Sequence, residues 1–300
     1  MSRDNWPSGL VTALVTPMKG DGIDPVGTRQ LIERQVQAGA GGVVVAGGTG
    51  EHGVLSFDER KQLIRVVAEA SRDRLPFIVQ TGALATRDAV RLSQDAEEVG
   101  ATGILVPAPF GEAVNWREKK AFYEEINASV SLPVMLYNTP AAGLMTIEQI
   151  EELAELSNVS AVKQSSGDGT LLGDILAWSK TNDFAVYIGW DDLTAPAVLA
   201  GAHGALLGAG NVVPELIVEV LELCERRQLG PELDAAWGRL RPFLRFIGNS
   251  ENYVSVVKLG AQLRGLDVGD VRRPYLMPRA DEREALAEEL RKLEGVLAPV

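Results

Sequence analysis

Cysteine is almost missing from this chain. Cys224 stands alone among 300 residues, so no intrachain disulfide framework can form, and its place at the end of the apolar helical run 217–224 reads as core filler. Histidine is nearly as scarce: His52 and His203 lie far apart, which excludes a histidine-rich metal site. Positive charge is in deficit, with 29 Lys and Arg against 41 Asp and Glu and a formal net charge of −12. A surface of that sign repels phosphate, so neither nucleic acid nor an anionic membrane is an expected partner, whereas a small anionic substrate needs only a local site. No run of about 18 apolar residues occurs. The opening Met1–Pro7 carries no apolar core of a signal sequence, so the expected location is cytoplasmic. Low-complexity tracts and sequence-level repeats are also lacking.

What remains is an ordinary globular composition, 46% hydrophobic and 23% charged, long enough for one large α/β domain. Its dominant pattern is alternation. Short Val-, Ile- and Leu-rich runs, bounded by Gly or Pro, fall at 10–16, 42–46, 77–81, 103–106, 134–137, 161–164, 185–189 and 205–208. Amphipathic helical segments separate them. Ser56-Phe57-Asp58-Glu59 reads as a capping box, and Thr146-Ile147-Glu148-Gln149 opens another helix with its apolar positions on one face. Strands apolar on both faces imply a parallel sheet covered by helices. Eight such units fit a (β/α)8 TIM barrel better than an open doubly wound sheet. After residue 228 only helical periodicity persists, so the expectation is a barrel over 1–228 and a C-terminal helical appendage over 229–300.

Chemistry in such a barrel sits at the C-terminal ends of the strands. The sixth run carries Lys163 in Ser160-Ala161-Val162-Lys163-Gln164-Ser165-Ser166. A lysine inside a buried parallel strand is either paired with a carboxylate or used as an amine nucleophile on a carbonyl. The second run ends in Gly47-Gly48-Thr49-Gly50-Glu51, where backbone N–H groups and the Thr49 hydroxyl can cradle a carboxylate, or which is simply a tight turn. Gly48, Gly50 and Gly53 match the spacing of a dinucleotide fingerprint, but the next helix begins only near Ser56, so a nicotinamide cofactor is not expected. Tyr137 ends the fifth run as a proton relay or a half-buried barrel tyrosine. Gly189-Trp190-Asp191-Asp192 ends the seventh; its carboxylates can hold substrate hydroxyls, or one of them caps the following helix.

Taken together, Gly47-Gly48-Thr49-Gly50-Glu51, Tyr137-Asn138-x-Pro140, Val162-Lys163 with Gly167-Asp168, the opening Gly9–Pro17 and the late Val257-Lys258 through Arg273-Pro274 resemble the dihydrodipicolinate synthase/N-acetylneuraminate lyase superfamily over nearly the whole chain. The resemblance implies a lyase of the class I aldolase type, usually a homotetramer built from dimers. Lys163 would form a Schiff base with a pyruvate-like 2-oxo acid, Tyr137 would shuttle protons, and Gly48 with Thr49 would bind the substrate carboxylate. Neither metal nor organic cofactor is then expected. Three departures count against the synthase itself: Gly48 replaces a threonine, Val106-Pro107-Ala108-Pro109-Phe110 lacks a tyrosine supplied to the neighbouring subunit, and Ala141-Ala142-Gly143 lacks a carboxylate-gripping arginine. Gly189, Asp191 and Asp192 are similar to the segment with which neuraminate lyases hold sugar hydroxyls. The expected substrate is therefore a deoxy-keto sugar acid, cleaved or dehydrated. The alternatives are 4-hydroxy-tetrahydrodipicolinate synthase, a non-catalytic 2-oxo acid binding protein, and a sugar isomerase with a phosphate site at Gly208-Ala209-Gly210-Asn211.

Overall fold

In the computed structural model, which describes residues 2–109 and 114–297, eight parallel strands close into a barrel. We number them β1 (Gly9–Ala13), β2 (Gly42–Val45), β3 (Phe77–Gln80), β4 (Gly103–Pro107), β5 (Val134–Asn138), β6 (Val159–Gln164), β7 (Ala185–Ile188) and β8 (Gly204–Leu207). Each pairs with its sequence neighbour and β8 returns to β1, with Gly9 opposite Gly204 and Val11 opposite Gly42. Helices α1 (Pro25–Gln37), α2 (Phe57–Ser71), α3 (Thr86–Glu98), α4 (Trp116–Ser129), α5 (Ile147–Ala154), α6 (Gly169–Ser179), α7 (Thr194–Ala200) and α8 (Pro214–Glu225) each follow one strand. The expected TIM barrel is thus present. Both anticipated capping boxes form, at Ser56 and at Thr146. A small hairpin, Met18–Lys19 with Gly22–Ile23, follows β1; two-residue strands leave no periodicity to read in a sequence.

Strand residues alternate between two apolar clusters. Val11, Ala13, Val44, Ile78, Leu105, Met135, Ala161, Ala185, Tyr187 and Leu206 point inward and fill the barrel, closed below by buried Trp6, whose indole N–H donates to Ser160 Oγ at 3.0 Å. Leu10, Val43, Val45, Val79, Ile104, Val106, Leu136, Val162, Val186 and Leu207 face the helices. A strand has a side-chain period of two. Because Met135 and Ala161 face inward, Tyr137 and Lys163, two residues further on, must also face into the barrel at its C-terminal mouth.

Three helices follow the barrel: α9 (Pro231–Gly248), α10 (Tyr253–Leu263) and α11 (Ala280–Arg291). Among the described residues, no helix is long and apolar enough to cross a membrane. Lys258 on α10 is fully buried. Its ammonium donates to Glu51 Oε1 at 2.7 Å and to the Asp270 carbonyl at 2.9 Å. The other carboxylate oxygen, Oε2, accepts the Arg272 backbone N–H at 2.7 Å, while the Arg272 guanidinium grips both oxygens of Glu59 at 2.7 and 2.8 Å. The turn after β2 is therefore clamped to the C-terminal helices. It needs a clamp, since Ala46 and Glu51 at its two ends hold φ of 55° and 61°, a left-handed conformation that side chains other than glycine resist.

Removing one partner of a buried pair leaves an uncompensated charge. Lys258→Met should therefore destabilise the fold by ~3–5 kcal/mol in urea unfolding, and adding Glu51→Gln should recover part of that loss. A loss below ~1 kcal/mol for the single variant would show that the clamp is not built as described.

Candidate active site

The mouth of the barrel holds a cavity of about 340 Å³. Its floor and walls bring together all seven residues anticipated as site residues: Gly48, Thr49, Tyr137, Lys163, Gly189, Asp191 and Asp192. Tyr137 and Lys163 are register partners on β5 and β6, so backbone pairing alone sets them side by side. The Lys163 ammonium stands over the Tyr137 ring, 4.5 Å from its centre. Beneath them, Asn138 and Gln164 face the opposite way and hydrogen-bond at 2.8 Å; Gln164 also donates to Ser166 at 2.7 Å. That buried network fixes the ends of the two strands that carry the amine and the phenol.

Among the described residues two lysines are buried, Lys163 and Lys258. Lys258 is neutralised by Glu51. Lys163 makes no ion pair among the described residues, so the reading of a salt-bridged barrel lysine does not hold for it. Space for its side chain comes from Gly189. A Cβ there would lie 2.5 Å from Lys163 Cε and 2.0 Å from Ser165 Oγ, contacts that no alanine could make. Burial alone would raise the Tyr137 phenol, but the neighbouring Lys163 charge and the hydroxyls of Ser165 and Thr139 outweigh it, and the phenol titrates below its ordinary range. A tyrosine so placed gives up and takes back its proton more readily than a free phenol.

The turn after β2 opens toward the cavity at Gly48, where a Cβ would meet nothing within 4 Å. The glycine therefore answers no steric need, and the space of a side chain is left to the cavity. Thr49 is buried, and its hydroxyl would lie 3.0 Å from a Cβ at Gly208, so it approaches β8 across that glycine. A 3-10 turn, His52–Val54, separates this segment from α2, whose cap is Ser56. The glycines thus never reach a helix N-terminus, as a dinucleotide site requires. The anticipated phosphate segment at Gly208–Asn211 is spent internally: Ala209 N–H donates to Tyr253 Oη at 3.1 Å, and Asn211 bonds Ala13 and Gly208 carbonyls at 2.8 and 2.7 Å.

The two aspartates after β7 part company. Asp191 is buried in the cavity wall and accepts a hydrogen bond from Tyr253 Oη at 3.0 Å. Burial pushes its carboxyl up to about 7, against the opposing pull of that bond and of Lys163. Asp192 is held by the Arg241 guanidinium at 2.7 and 3.4 Å. Neither side chain caps a helix, since α7 starts after Leu193 with no side-chain cap bond. The cavity also contains residues that were not anticipated. Ser165 was within reach of the strand parity, being two beyond Lys163. Thr139, two beyond Tyr137, was within reach of it as well, whereas Arg245 and Tyr253 carry no local signal, because α9 and α10 meet the barrel mouth only through tertiary packing. Of the stretch Val106–Phe110, Phe110 lies outside the described residues.

A (β/α)8 barrel with an uncompensated amine beside a phenol at its C-terminal mouth is the architecture of enzymes that form a Schiff base with a carbonyl substrate. The chain matches the Dihydrodipicolinate synthetase family over residues 6–293. It is 33% identical over 280 residues to 4-hydroxy-tetrahydrodipicolinate synthase 1 of Halalkalibacterium halodurans, covering 92% of this chain and 94% of that one. It is also 33% identical over 290 residues to the synthase of Legionella pneumophila, covering 96% and 99% of the two chains. Among solved structures it is similar to dihydrodipicolinate synthase from Aquifex aeolicus, with TM-score 0.91 at 27% identity over 97% and 99% of the chains. A prophage protein of the same family from E. coli K12, solved in complex with pyruvate, gives TM-score 0.89 at 28% identity over 96% and 98%. The chain belongs to the dihydrodipicolinate synthase family, and it is a lyase of the Schiff-base-forming class.

The raised Asp191 carboxyl has a consequence for stability. Folded protein keeps a proton that the unfolded chain, with an ordinary aspartate near 3.8, has released by pH 5 to 7. This contribution is full below about pH 4 and is lost as pH rises through about 7. Asp191→Asn, which stays neutral, should lose less stability than wild type between roughly pH 5 and pH 8 in urea unfolding. Parallel stability curves for the two proteins would refute the assignment.

Proposed function

We propose that this chain activates pyruvate, or a close 2-oxo acid analogue, as a Schiff base on Lys163. The observation that carries this reading is the buried lysine with no ion-pair partner among the described residues, placed by strand register against Tyr137. The 2-oxo acid carboxylate docks on the backbone of Gly48 and Thr49 and the Thr49 hydroxyl, which aims the ketone at the amine. Neutral Lys163 adds its lone pair to the ketone carbon, one amine proton passes to the oxygen, and Tyr137 gives its phenol proton as that oxygen leaves as water, so that an iminium and a phenolate remain. The Tyr137 phenolate, favoured by the positive charge on the Lys163 nitrogen, takes a proton from the adjacent methyl carbon, and the C–H electrons become the enamine double bond. That enamine attacks an aldehyde to form a C–C bond, or arises in reverse when such a bond breaks. Hydrolysis of the iminium frees product and regenerates Lys163.

For the second reactant, the names of the curated relatives support a 4-hydroxy-tetrahydrodipicolinate synthase, for which the family resemblance implies aspartate semialdehyde, above the deoxy-keto sugar acid expected from the sequence. One observation keeps cleavage or dehydration of a sugar acid as a second reading: Asp191 with Tyr253 offers a buried donor and acceptor pair for substrate hydroxyls. We take 1–228 as the catalytic barrel and 229–300 as the appendage that closes its mouth. The resemblance supports a cytoplasmic homotetramer, a dimer of dimers, although one similar solved protein is described as a monomeric variant.

Exchange of pyruvate methyl protons in D2O, followed by NMR, reads enamine formation without any second reactant. Wild type should catalyse it. Lys163→Ala and Lys163→Arg should abolish it, because a guanidinium does not deprotonate near neutral pH. Tyr137→Phe should slow it by ~100-fold or more. Exchange that persists in Lys163→Ala would overturn the mechanism. Product formation from pyruvate with aspartate semialdehyde, set beside pyruvate release from deoxy-keto sugar acids, ranks the two readings of the second substrate. Exchange with no turnover of either would leave a 2-oxo acid binding protein.

A further inference from the structure

We propose that Arg245, in the last turn of α9, receives an anionic group, carboxylate or phosphate, at the far end of the second reactant. The inference rests on the Schiff-base reading above and names the class of aldehyde that the enamine meets.

Among the described residues, Lys163 and Arg245 are the only cations that line the cavity. Lys163 lies on its floor and is reserved for the ketone. Arg245 stands on the α9 wall with Leu244, Gly248 and Asn249. The other arginines of that helix stretch are spent. Arg239 pairs with Glu219 at 3.1 Å, and Arg241, one turn before Arg245, pairs with Asp192 at 2.7 Å. Arg245 makes no hydrogen bond or ion pair through its guanidinium with any described residue.

The cavity's own carboxyls do not neutralise it. Asp192 is already held by Arg241, and Asp191 is engaged by Tyr253 and inclined to the neutral acid by burial. The Arg241–Asp192 pair thus leaves Arg245 with a free charge at the rim. That is a meaningful placement in a chain of net charge −12, where an anion arriving from solvent meets mostly repulsion. A guanidinium suits the task because its fork of donors matches two oxygens of a carboxylate or phosphate at once. The segment after Pro140 supplies no rival cation: Lys119 is turned onto the carbonyls of Ala142 and Gly143 at 2.9 and 3.2 Å and does not line the cavity.

The test compares wild type with Arg245→Ala and Arg245→Lys. Pyruvate is paired with aspartate semialdehyde, with glyceraldehyde 3-phosphate, or with neutral glyceraldehyde. Arg245→Ala should lose ~10- to 100-fold in kcat/KM for the anionic aldehyde that wild type prefers, chiefly through KM, and should leave glyceraldehyde unchanged. Arg245→Lys should recover part of the loss, since it keeps charge without the fork. Whether the carboxylate or the phosphate substrate is the more sensitive identifies the source of the anion. Pyruvate methyl exchange should be the same in all three proteins, as should their melting temperatures. Equal losses for charged and neutral aldehydes, no loss for any, or a slower pyruvate exchange in Arg245→Ala would overturn the subsite. No exchange in wild type would instead fell the Schiff-base reading, and the subsite with it.

Discussion

The contact on which the rest of the site depends is the buried pair of Glu51 and Lys258. It is made between a turn after β2 and a helix more than two hundred residues later, and both side chains are fully shielded from solvent. Desolvation lowers the Lys258 ammonium below its ordinary range, and Glu51 opposes that shift. Such a pair gains little net energy over two apolar residues, but it tolerates no substitute for either member alone. Its effect is geometric. It holds a turn with left-handed residues at both ends and so keeps Gly48 and Thr49 at the edge of the cavity. It also binds α10 to the barrel mouth, which brings Tyr253 to Asp191.

With the turn fixed, the remaining geometry follows from strand parity and register. Inward positions recur every second residue, so the apolar filling of the barrel at Met135 and Ala161 dictates that Tyr137 and Lys163 project into the mouth. Register then makes them neighbours. The same parity puts Gly189 and Gly208 on the inner face, where a side chain would strike Lys163, Ser165 or Tyr253. The two buried lysines illustrate how burial and partnering divide structure from chemistry. Lys258 has a carboxylate and serves the fold, whereas Lys163 has a phenol and an open cavity.

Much of this was legible in the sequence, for physical reasons. Eight doubly apolar strands with capped helices between them leave few architectures that bury every apolar face. Lys163 was conspicuous because a buried strand rarely carries a lysine. Legibility ended where tertiary packing takes over. Asp191 and Asp192 are adjacent and chemically identical, yet one is buried against Tyr253 and the other faces Arg241. Arg245 and Tyr253 sit on helices whose periodicity reports one apolar face but not the cavity its edge will meet. The expected sugar-acid substrate came from single-residue departures. The curated relatives, at about a third identity over nearly the whole chain, support the condensation reaction more strongly.

The central claim is that Lys163 is the carbonyl-reactive amine. Incubation with pyruvate and borohydride, followed by peptide mass mapping, tests it directly. The account predicts a single reduced pyruvate adduct on the peptide containing Lys163, with Lys258 and the surface lysines unmodified. An adduct on Lys258 or scattered over surface lysines, with Lys163 untouched, would contradict it.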